Sequence, residues 1–298
     1  MSPSAIVGTP NADPRSSGVN GSSRPHGLLN GSHPESPSLI HPQSNHTSSD
    51  DIFDLVCVGF GPASLAVAIA LHDMYKSSPS HHPKVLFLEK QAQFAWHAGM
   101  QLPGAKMQIS FLKDLATPRD PTSKFTFLNY LLQKGRLHHF INLGTFLPSR
   151  MEYEDYLRWC ASFFAKEGCV EYGMDVERVG VDGKRGDGKI TNFVVCARRR
   201  DGEVVSRRTR HVVIAVGGRP VVPPSLQGLK HVHHSSQFAN AINKIQEQGM
   251  GLPLKFAVIG GGQSAAEIFN DIWARFPGAK VRLIIKDSSL RPSDDSPL

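Results

Sequence analysis

The sequence predicts an α/β protein with two units in which a buried strand runs through a glycine-rich turn into a helix. In the first unit, the apolar and β-branched run 53–58 is followed by Gly59 and Gly61. In the second, the predicted strand 254–259, which is apolar except for Lys255, is followed by three glycines at 260–262. Helix-forming residues come directly after each turn. This order is typical of dinucleotide-binding Rossmann units, so two such units predict two dinucleotide-binding domains.

The other predicted elements fill the chain around these units. Residues 1–50 are rich in Ser, Pro, Gly, His and Asn, and they predict a disordered tail because they bury too little apolar surface. We expect the first dinucleotide-binding domain over residues 51–250 and the start of a second, incomplete one over 251–298. The predicted strands are 53–58, 84–89, 170–181, 190–199, 204–214, 254–259 and 280–285, and the predicted helices are 63–74, 125–135, 150–167, one from 238 and one ending near 276.

The first glycine turn suits the pyrophosphate of a dinucleotide. Gly59 permits the tight turn out of the strand, and Gly61 lets the backbone approach a phosphate at the positive end of a helix dipole. Ser64 stands where glycine or alanine is usual, and its small side chain keeps the helix close to the strand. Glu89 ends the next predicted strand, where a carboxylate can accept hydrogen bonds from ribose hydroxyls.

The second turn differs in the residue expected at the end of its following strand. That residue is Lys286 rather than an acid, and a cation there suits the 2′-phosphate of NADP, with Arg291 placed to assist. An ordinary exposed lysine is the alternative. Two dinucleotide turns with an FAD-type turn first therefore predict a flavin that NADPH reduces. The turn itself comprises Gly260, Gly261, Gly262, Gln263 and Ser264.

Composition and spacing argue against other classes of function. The formal net charge is +7, and six arginines flank the Asp201-Gly202 hairpin turn. No aromatic residues alternate with those arginines, so they predict a solvated edge hairpin rather than a nucleic-acid site. The four cysteines form no C-x-x-C pair, which argues against a zinc ribbon, a disulfide scaffold and a dithiol reductase.

Two further observations bear on metals and on location. His231, His233 and His234 lack a carboxylate or cysteine at ligand spacing, so they predict a hydrogen-bonded loop rather than a metal site. No apolar run approaches the roughly 20 residues of a membrane span, and the N-terminus has no secretory signal pattern. We therefore expect a cytoplasmic protein without a membrane partner.

Four segments resemble the fungal L-ornithine N5-monooxygenases, the flavin-dependent N-hydroxylases of siderophore pathways that are grouped with the lysine N6-hydroxylases. The similarity extends from about Asp51 to Pro297, and its most specific part is the central segment 107–117. The segments are Gly59-Phe-Gly-Pro-Ala-Ser-Leu-Ala66, Met107-Gln-Ile-Ser-Phe-Leu-Lys-Asp-Leu-Ala-Thr117, Gly262-Gln-Ser-Ala-Ala-Glu267 and Arg291-Pro-Ser-Asp-Asp-Ser-Pro297.

The resemblance implies roles for individual residues. Lys113 would bind the ornithine carboxylate with its point charge. Gln108 would contact FAD, and Val176 would lie on its adenine side. The second turn and Lys286 would hold NADPH. The remaining FAD contacts would be Gly59, Gly61, Ser64, Glu89, Lys90, Gln91, Ala92, Gln93, Phe94, Ala95, Trp96 and His97.

The implied reaction is the N5-hydroxylation of L-ornithine by O2, which is the first step of hydroxamate siderophore synthesis. NADPH would reduce FAD, and the neutral side-chain amine of ornithine would receive one oxygen atom in a water-poor pocket. The flavin would perform the chemistry, so no side chain is assigned a catalytic role. The usual state of the family implies a homotetramer.

Two alternatives remain open at the level of sequence. Family members continue beyond the position of Leu298, so one alternative is a truncated flavin-domain fragment without activity, whose incomplete sheet would favour aggregation. The other alternative is an N-hydroxylase for a different amine such as lysine, because pocket depth sets the length of the accepted side chain.

Overall fold

The computed structural model describes residues 52–76, 82–248 and 254–290. The predicted disordered tail 1–50, Asp51 and the segment from Arg291 onwards lie outside the described residues. The described residues form a mixed α/β fold, which confirms the predicted fold class. Their α-helices are α1 (Pro62–Tyr75), α2 (Phe127–Gln133), α3 (Leu137–Asn142), α4 (Arg150–Lys166), α5 (Phe238–Glu247) and α6 (Gln263–Arg275).

The larger sheet contains six strands. They are β1 (Ile52–Val58), β2 (Val85–Glu89), β3 (Val170–Tyr172), β4 (Asp175–Lys184), β5 (Ile190–Arg198) and β6 (Val204–Ile214). Their order across the sheet is β3-β2-β1-β6-β5-β4. The four strands from β3 to β6 in that order are parallel, whereas β5 and β4 continue the sheet as antiparallel neighbours of β6. The parallel half is thus the part that carries the first glycine turn.

The strands β1 and β2 are buried on both faces, as parallel strands between covering layers should be. Cys57 and Phe87 face a cluster that includes Leu65 and Ile69 of α1. Val56, Leu86 and their neighbours face a second cluster on the opposite side of the sheet. Two-sided burial explains why residues 55–58 of β1 and 85–88 of β2 are continuous apolar runs rather than alternating ones.

An aromatic core joins α4 to α2 and to the chain before it. Aromatic residues recur at helical spacing along α4, at Tyr153, Tyr156, Trp159 and Phe163, and this stripe predicts core packing. Tyr153 and Tyr156 are buried against Phe127. The Tyr156 hydroxyl donates to the Phe125 carbonyl at 2.8 Å and accepts from the Leu115 N–H at 3.1 Å. The aromatic stripe is therefore core packing, and it also fixes the backbone of the central segment 107–117.

Two elements differ from the sequence prediction. The predicted strand 170–181 is wrong as a single element, because it divides into β3 and β4. Gly173 between them has a φ of +75°, and its N–H donates to the Gln91 carbonyl at 2.9 Å. Before this turn β3 pairs with β2, and after it β4 pairs with β5. The short helix α3 was not predicted, because six residues carry too little periodicity to identify a helix.

The second unit is a parallel pair of strands with a helix between them. These strands are β7 (Lys255–Ile259) and β8 (Lys280–Ile284), and α6 connects them. One face of α6, with Ala265 and Ile268, packs on Phe238 and Ile242 of α5. The strand prediction 280–285 was one residue too long, so Lys286 lies two residues beyond the end of β8.

The arginines around the β5–β6 hairpin form ion pairs on the surface of the sheet. The short loop of this hairpin contains the predicted Asp201-Gly202 turn, in which Gly202 has a φ of +92°. The pairs are Arg198–Glu177, Arg199–Glu203, Arg207–Glu171, Arg208–Asp182 and Arg210–Asp54. The sequence prediction of a solvated edge hairpin is wrong, because β5 and β6 lie inside the sheet and β4 is the edge strand on that side. Arg207 is buried in addition. Within the described ranges, no helix combines the length and hydropathy needed to span a membrane.

Candidate dinucleotide and substrate site

The first glycine turn requires glycine at its first position. Gly59 has a φ of +92°, and its N–H donates to the Leu88 carbonyl at 2.8 Å. A Cβ on Gly59 would lie 2.5 Å from the Ala215 carbonyl oxygen, which is closer than real contacts allow. The turn therefore depends both on a left-handed backbone and on the close approach of the chain that follows β6.

The second glycine of the turn leaves open space at the start of α1. Gly61 is the N-cap residue with a φ of −87°, and no side chain caps the first turn of the helix. A Cβ built on Gly61 would meet no atom within 4 Å. Ser64, three residues after Gly61, is fully buried, and its hydroxyl has no hydrogen-bond partner among the described residues. An uncapped helix start beside open space fits a pyrophosphate.

Replacement of Gly61 by alanine is expected to weaken FAD binding by about 10-fold or more while leaving the fold intact. The backbone conformation is allowed for alanine and the Cβ meets no protein atom. The methyl group would instead occupy the space through which a pyrophosphate approaches the backbone. Flavin absorbance and thermal unfolding of the apoprotein would be measured together. A variant that retains FAD as tightly as the wild type would contradict this assignment of the turn.

Glu89 at the end of β2 holds the first turn through its carboxylate. Oε2 accepts a hydrogen bond from the Phe60 N–H at 2.7 Å, and Oε1 accepts from the Gln91 N–H at 2.8 Å. The carboxylate therefore fixes the middle of the glycine turn and the start of the next segment. The side chain is half-buried, so its oxygens can also be reached by a ribose hydroxyl.

The segment after Glu89 runs along the surface with one buried anchor. Phe94 is buried, and its ring packs edge-on against Phe60 at a centroid distance of 6.2 Å. Lys90 pairs with Asp175 at 2.7 Å, which joins the segment to the start of β4. Ala95 and Trp96 are half-buried, and the residues exposed to solvent are Lys90, Gln91, Ala92, Gln93 and His97. A buried anchor below an exposed strip fits a segment that lies along a cofactor.

His97 ends this strip in an unusual backbone conformation. Its φ is +45°, which is rare for a residue other than glycine. Partial burial and the positive charge of Arg150 lower the pKa of the His97 imidazole.

The other two predicted FAD residues lie on different elements. Val176 is half-buried in β4, where it packs on the sheet face that contains Met174. Gln108 is exposed, and the backbone of its neighbour Met107 donates to the Pro148 carbonyl at 2.9 Å. Both positions are fixed by neighbours, although they come from distant parts of the sequence.

Lys113 is the last residue of a single 3-10 turn, Phe111–Lys113. The Ser110 hydroxyl caps this turn by accepting from the Leu112 N–H at 3.2 Å. Phe111 stacks on Phe146 with ring centroids 5.7 Å apart. Lys113 is exposed and forms no ion pair with another described residue. A free ammonium group on a fixed turn suits the carboxylate of a small substrate.

Asp114 is a structural residue of the site that sequence reasoning missed. Its carboxylate is buried and accepts from the N–H groups of Ala116 at 2.9 Å, Thr117 at 2.6 Å and Phe127 at 2.6 Å. It also accepts from the Thr117 hydroxyl at 2.8 Å. The sequence signal for this role was an Asp followed by Leu-Ala-Thr, because an Asp side chain can accept from the backbone N–H two residues on in an Asx turn. Asp114 therefore locks the chain next to Lys113.

The second glycine turn repeats the geometry of the first. Gly260 has a φ of +142°, and its N–H donates to the Ile284 carbonyl at 3.0 Å. Gly262 caps α6, with open space around its Cα and no capping side chain. Gly261 is half-buried, whereas Ser264 and Lys286 are exposed. The turn can therefore receive a second pyrophosphate, and an exposed lysine follows its partner strand.

Gln263 begins α6 and is held by a residue of the next helical turn. Its Nε2 donates to Oε1 of Glu267 at 2.7 Å. Glu267 is bound in turn by Arg150, which belongs to α4. Neither Arg150 nor Glu267 could be assigned a role from the sequence, because no local pattern relates two residues so far apart.

Of the three histidines before α5, His234 takes part in a hydrogen-bonded turn. Nδ1 of His234 accepts from the Ser236 N–H at 3.1 Å, and His234 caps the short turn Ser235–Gln237. His231 has a φ of +61°. No cluster of three or more metal-binding side chains occurs within 52–76, 82–248 and 254–290.

Comparisons with known proteins agree with this geometry. A family model for L-lysine 6-monooxygenase/L-ornithine 5-monooxygenase matches residues 51–298. The chain is 52% identical to an L-ornithine N(5)-monooxygenase of Cochliobolus heterostrophus, over 85% of this chain and 49% of that protein. It is 51% identical to the protein of the same name from Emericella nidulans, over 84% of this chain and 52% of that one. The chain thus spans about half the length of these curated relatives.

Solved structures show the same relationship. An ornithine hydroxylase from Pseudomonas aeruginosa superposes with a TM-score of 0.73 at 42% identity, over 83% of this chain and 58% of that one. An ornithine N-hydroxylase from Kutzneria sp. 744, described with reduced FAD, NADP+ and L-ornithine, gives a TM-score of 0.74 at 36% identity. That match covers 83% of this chain and 56% of the other. The chain therefore belongs to the L-lysine 6-monooxygenase/L-ornithine 5-monooxygenase family.

Proposed function

We propose that this chain acts in the FAD- and NADPH-dependent N5-hydroxylation of L-ornithine, at the start of hydroxamate siderophore synthesis. The observation that carries the proposal is the presence of two features in one chain. The first is a glycine turn that Glu89 fixes, and the second is Lys113, an exposed lysine without an ion pair among the described residues, at the end of a capped 3-10 turn. Identities of 52% and 51% to proteins named L-ornithine N(5)-monooxygenase support the choice of substrate. The ligands of the Kutzneria structure support the choice of cofactors.

The first domain, residues 51–250, is proposed to hold FAD. Its pyrophosphate would lie against Gly59 and Gly61 at the start of α1, with Ser64 behind them. Glu89 would accept hydrogen bonds from a ribose hydroxyl while it keeps its bond to the Phe60 N–H. The remaining contacts proposed are residues 90–97, Gln108 and Val176. When bound, FAD passes electrons from NADPH to O2 and supplies one oxygen atom to an amine.

The second domain, residues 251–298, is proposed to contain the NADPH turn. Gly260, Gly261 and Gly262 would let the pyrophosphate approach the backbone at the start of α6, with Gln263 and Ser264 in its first helical turn. Lys286 lies beyond β8, where its exposed ammonium group would meet the 2′-phosphate. This position favours NADPH over NADH.

Lys113 is proposed to orient the substrate by binding its carboxylate. The reaction consumes L-ornithine, O2, NADPH and one proton, and it yields N5-hydroxyornithine, NADP+ and water. The side-chain amine must be neutral in order to offer its lone pair, so a carboxylate held at the far end leaves the amine free of ion pairs. The homotetramer and the cytoplasmic location remain predictions from family resemblance and composition.

The direct test is turnover of the purified protein with FAD, NADPH and L-ornithine. We expect hydroxylated ornithine to accumulate in step with NADPH consumption, and lysine to yield far less product. Equal turnover of lysine would favour the alternative substrate. Absence of both product and NADPH consumption would overturn the proposal and favour an inactive flavin-domain chain.

Replacement of Lys113 by alanine is expected to raise the KM for ornithine by about 10- to 100-fold, because a charge-assisted contact to the carboxylate is lost. Bound FAD should stay at the wild-type level, since Lys113 lies on a separate 3-10 turn and, among the described residues, forms no ion pair with the first glycine turn. Steady-state kinetics would measure both parameters. Lys106→Ala, an exposed lysine on the same loop, is the matched control and should leave KM within about 2-fold. An unchanged KM in the Lys113 variant would contradict the assignment.

A further inference from the structure

A partly buried ion pair joins the two elements that lead to the two proposed cofactor sites. Arg150 is the first residue of α4, and its Nη1 and Nη2 donate to the two carboxylate oxygens of Glu267 at 2.8 and 3.0 Å. The residues are 117 positions apart, and their side chains are only 14% and 19% exposed. Two parallel hydrogen bonds fix the orientation of the partners as well as their distance.

On one side, Arg150 holds the loop that leads to Gln108. Its Nη1 also donates to the Met100 carbonyl at 3.0 Å, and its backbone N–H donates to the Ala105 carbonyl at 2.8 Å. One residue therefore fixes both ends of the stretch 100–105. That stretch runs directly into the central segment with Gln108 and Lys113.

On the other side, Glu267 holds the start of the second turn. Oε1 of Glu267 accepts from Arg150 and also from Nε2 of Gln263, at 2.7 Å. Gln263 follows the three glycines and is proposed to contact NADPH. A continuous chain of hydrogen bonds therefore runs from the loop before Gln108 to the NADPH turn.

The surrounding contacts are apolar and close. Met100 and Leu102 pack in one cluster with Ala265 and Ile268 of α6. A Cβ on Gly99 would overlap the Ser236 carbonyl group, so the backbones at Gly99 and Ser236 are in contact. Apolar packing is non-directional and tolerates sliding, whereas a forked ion pair does not. The ion pair is thus the contact that defines the position of α6 relative to the stretch 100–105.

We infer that the Arg150–Glu267 pair is a positioning device that aligns the NADPH turn with the flavin side for hydride transfer. The inference rests on the proposed function and adds to it two residues that act through Gln263 and the stretch 100–105. Hydride transfer needs the reacting atoms about 3–3.5 Å apart, and a displacement of about 1 Å can cost roughly 100-fold in rate. Loss of the pair should therefore slow flavin reduction more than it weakens nucleotide binding.

The test compares Arg150→Met and the double variant Arg150→Met/Glu267→Met with the wild type, each loaded with FAD. We expect the rate of flavin reduction at saturating NADPH to fall about 10- to 100-fold, while the Kd for NADPH changes by less than about 3-fold. Stopped-flow absorbance of the oxidised flavin gives both values. The matched control is Arg158→Met, which removes an arginine of the same helix that pairs with Glu154, and its rate should equal that of the wild type.

The double variant keeps the test decisive if the single variant folds poorly, because it leaves no buried charge unpaired. A second readout needs no nucleotide: hydrogen–deuterium exchange of α6 should be faster in both variants and unchanged in the control. If NADPH does not reduce the wild-type flavin, the proposed function fails, and the exchange data still decide whether the ion pair holds α6 in place. Unchanged reduction and exchange, or a defect confined to NADPH affinity, would overturn it.

Discussion

Replacement of Asp114 by alanine is expected to lower the free energy of unfolding by about 3–5 kcal/mol. The carboxylate is 7% exposed and accepts four hydrogen bonds, three of them from backbone N–H groups. Without it, the buried N–H groups of Ala116 and Phe127 lose an acceptor that water cannot easily replace. Each unsatisfied buried donor costs about 1–3 kcal/mol. Urea unfolding followed by circular dichroism would measure the loss.

A matched control for this prediction is Asp120→Ala. Asp120 accepts from the Thr122 N–H at 2.9 Å in a similar turn, but its side chain is 25% exposed. Water can solvate the groups that Asp120 leaves behind, so we expect a much smaller loss of stability than for Asp114→Ala. Equal losses in the two variants would show that burial of the Asp114 carboxylate is not the reason for its effect.

Loss of the Asp114 carboxylate should weaken substrate binding as well as stability. Asp114 is adjacent to Lys113 and fixes the backbone that carries it, so the folded fraction of Asp114→Ala should also bind the proposed substrate, ornithine, more weakly. We expect an increase in the KM for ornithine of about 10-fold, as a less ordered turn no longer presents the ammonium group in one place. An unchanged KM would separate the structural role of Asp114 from the substrate site.

Replacement of Gly59 by alanine is expected to cost about 2–4 kcal/mol and to abolish retention of FAD. The residue has a φ of +92°, and the new Cβ would lie 2.5 Å from the Ala215 carbonyl oxygen. Relief of this clash must move either the turn or the chain after β6, and both lie at the proposed pyrophosphate site. Thermal unfolding and flavin absorbance after gel filtration would measure the two effects.

Substitutions at two other glycines distinguish the two causes of the effect of Gly59→Ala, which are backbone strain and steric overlap. Gly104 has a φ of +76° with open space around it, so Gly104→Ala tests backbone strain alone, at about 1 kcal/mol. Gly61→Ala, described above, tests steric exclusion of the cofactor without strain. If Gly59→Ala destabilises no more than Gly104→Ala, the contact with Ala215 is not important.

The sequence determined the features that depend on neighbouring residues. The apolar run before Gly59 identified β1, the aromatic spacing in α4 identified a buried helix face, and Asp201-Gly202 identified a hairpin. Glu89 was placed correctly at the end of β2, because strand length and a terminal acid are both local signals. These predictions rest on periodicity and turn chemistry, which act within one or two turns of chain.

Only the tertiary structure decided which distant groups meet. The sequence contained Asp114, Arg150 and Glu267, but nothing local indicated that the first locks a turn or that the other two form a pair 117 residues apart. It also could not show that the chain turns at Gly173 to divide one predicted strand into two. The physical reason is that a carboxylate binds whatever donors the fold brings within about 3 Å, and those donors are selected by the packing of whole elements rather than by the residues beside it.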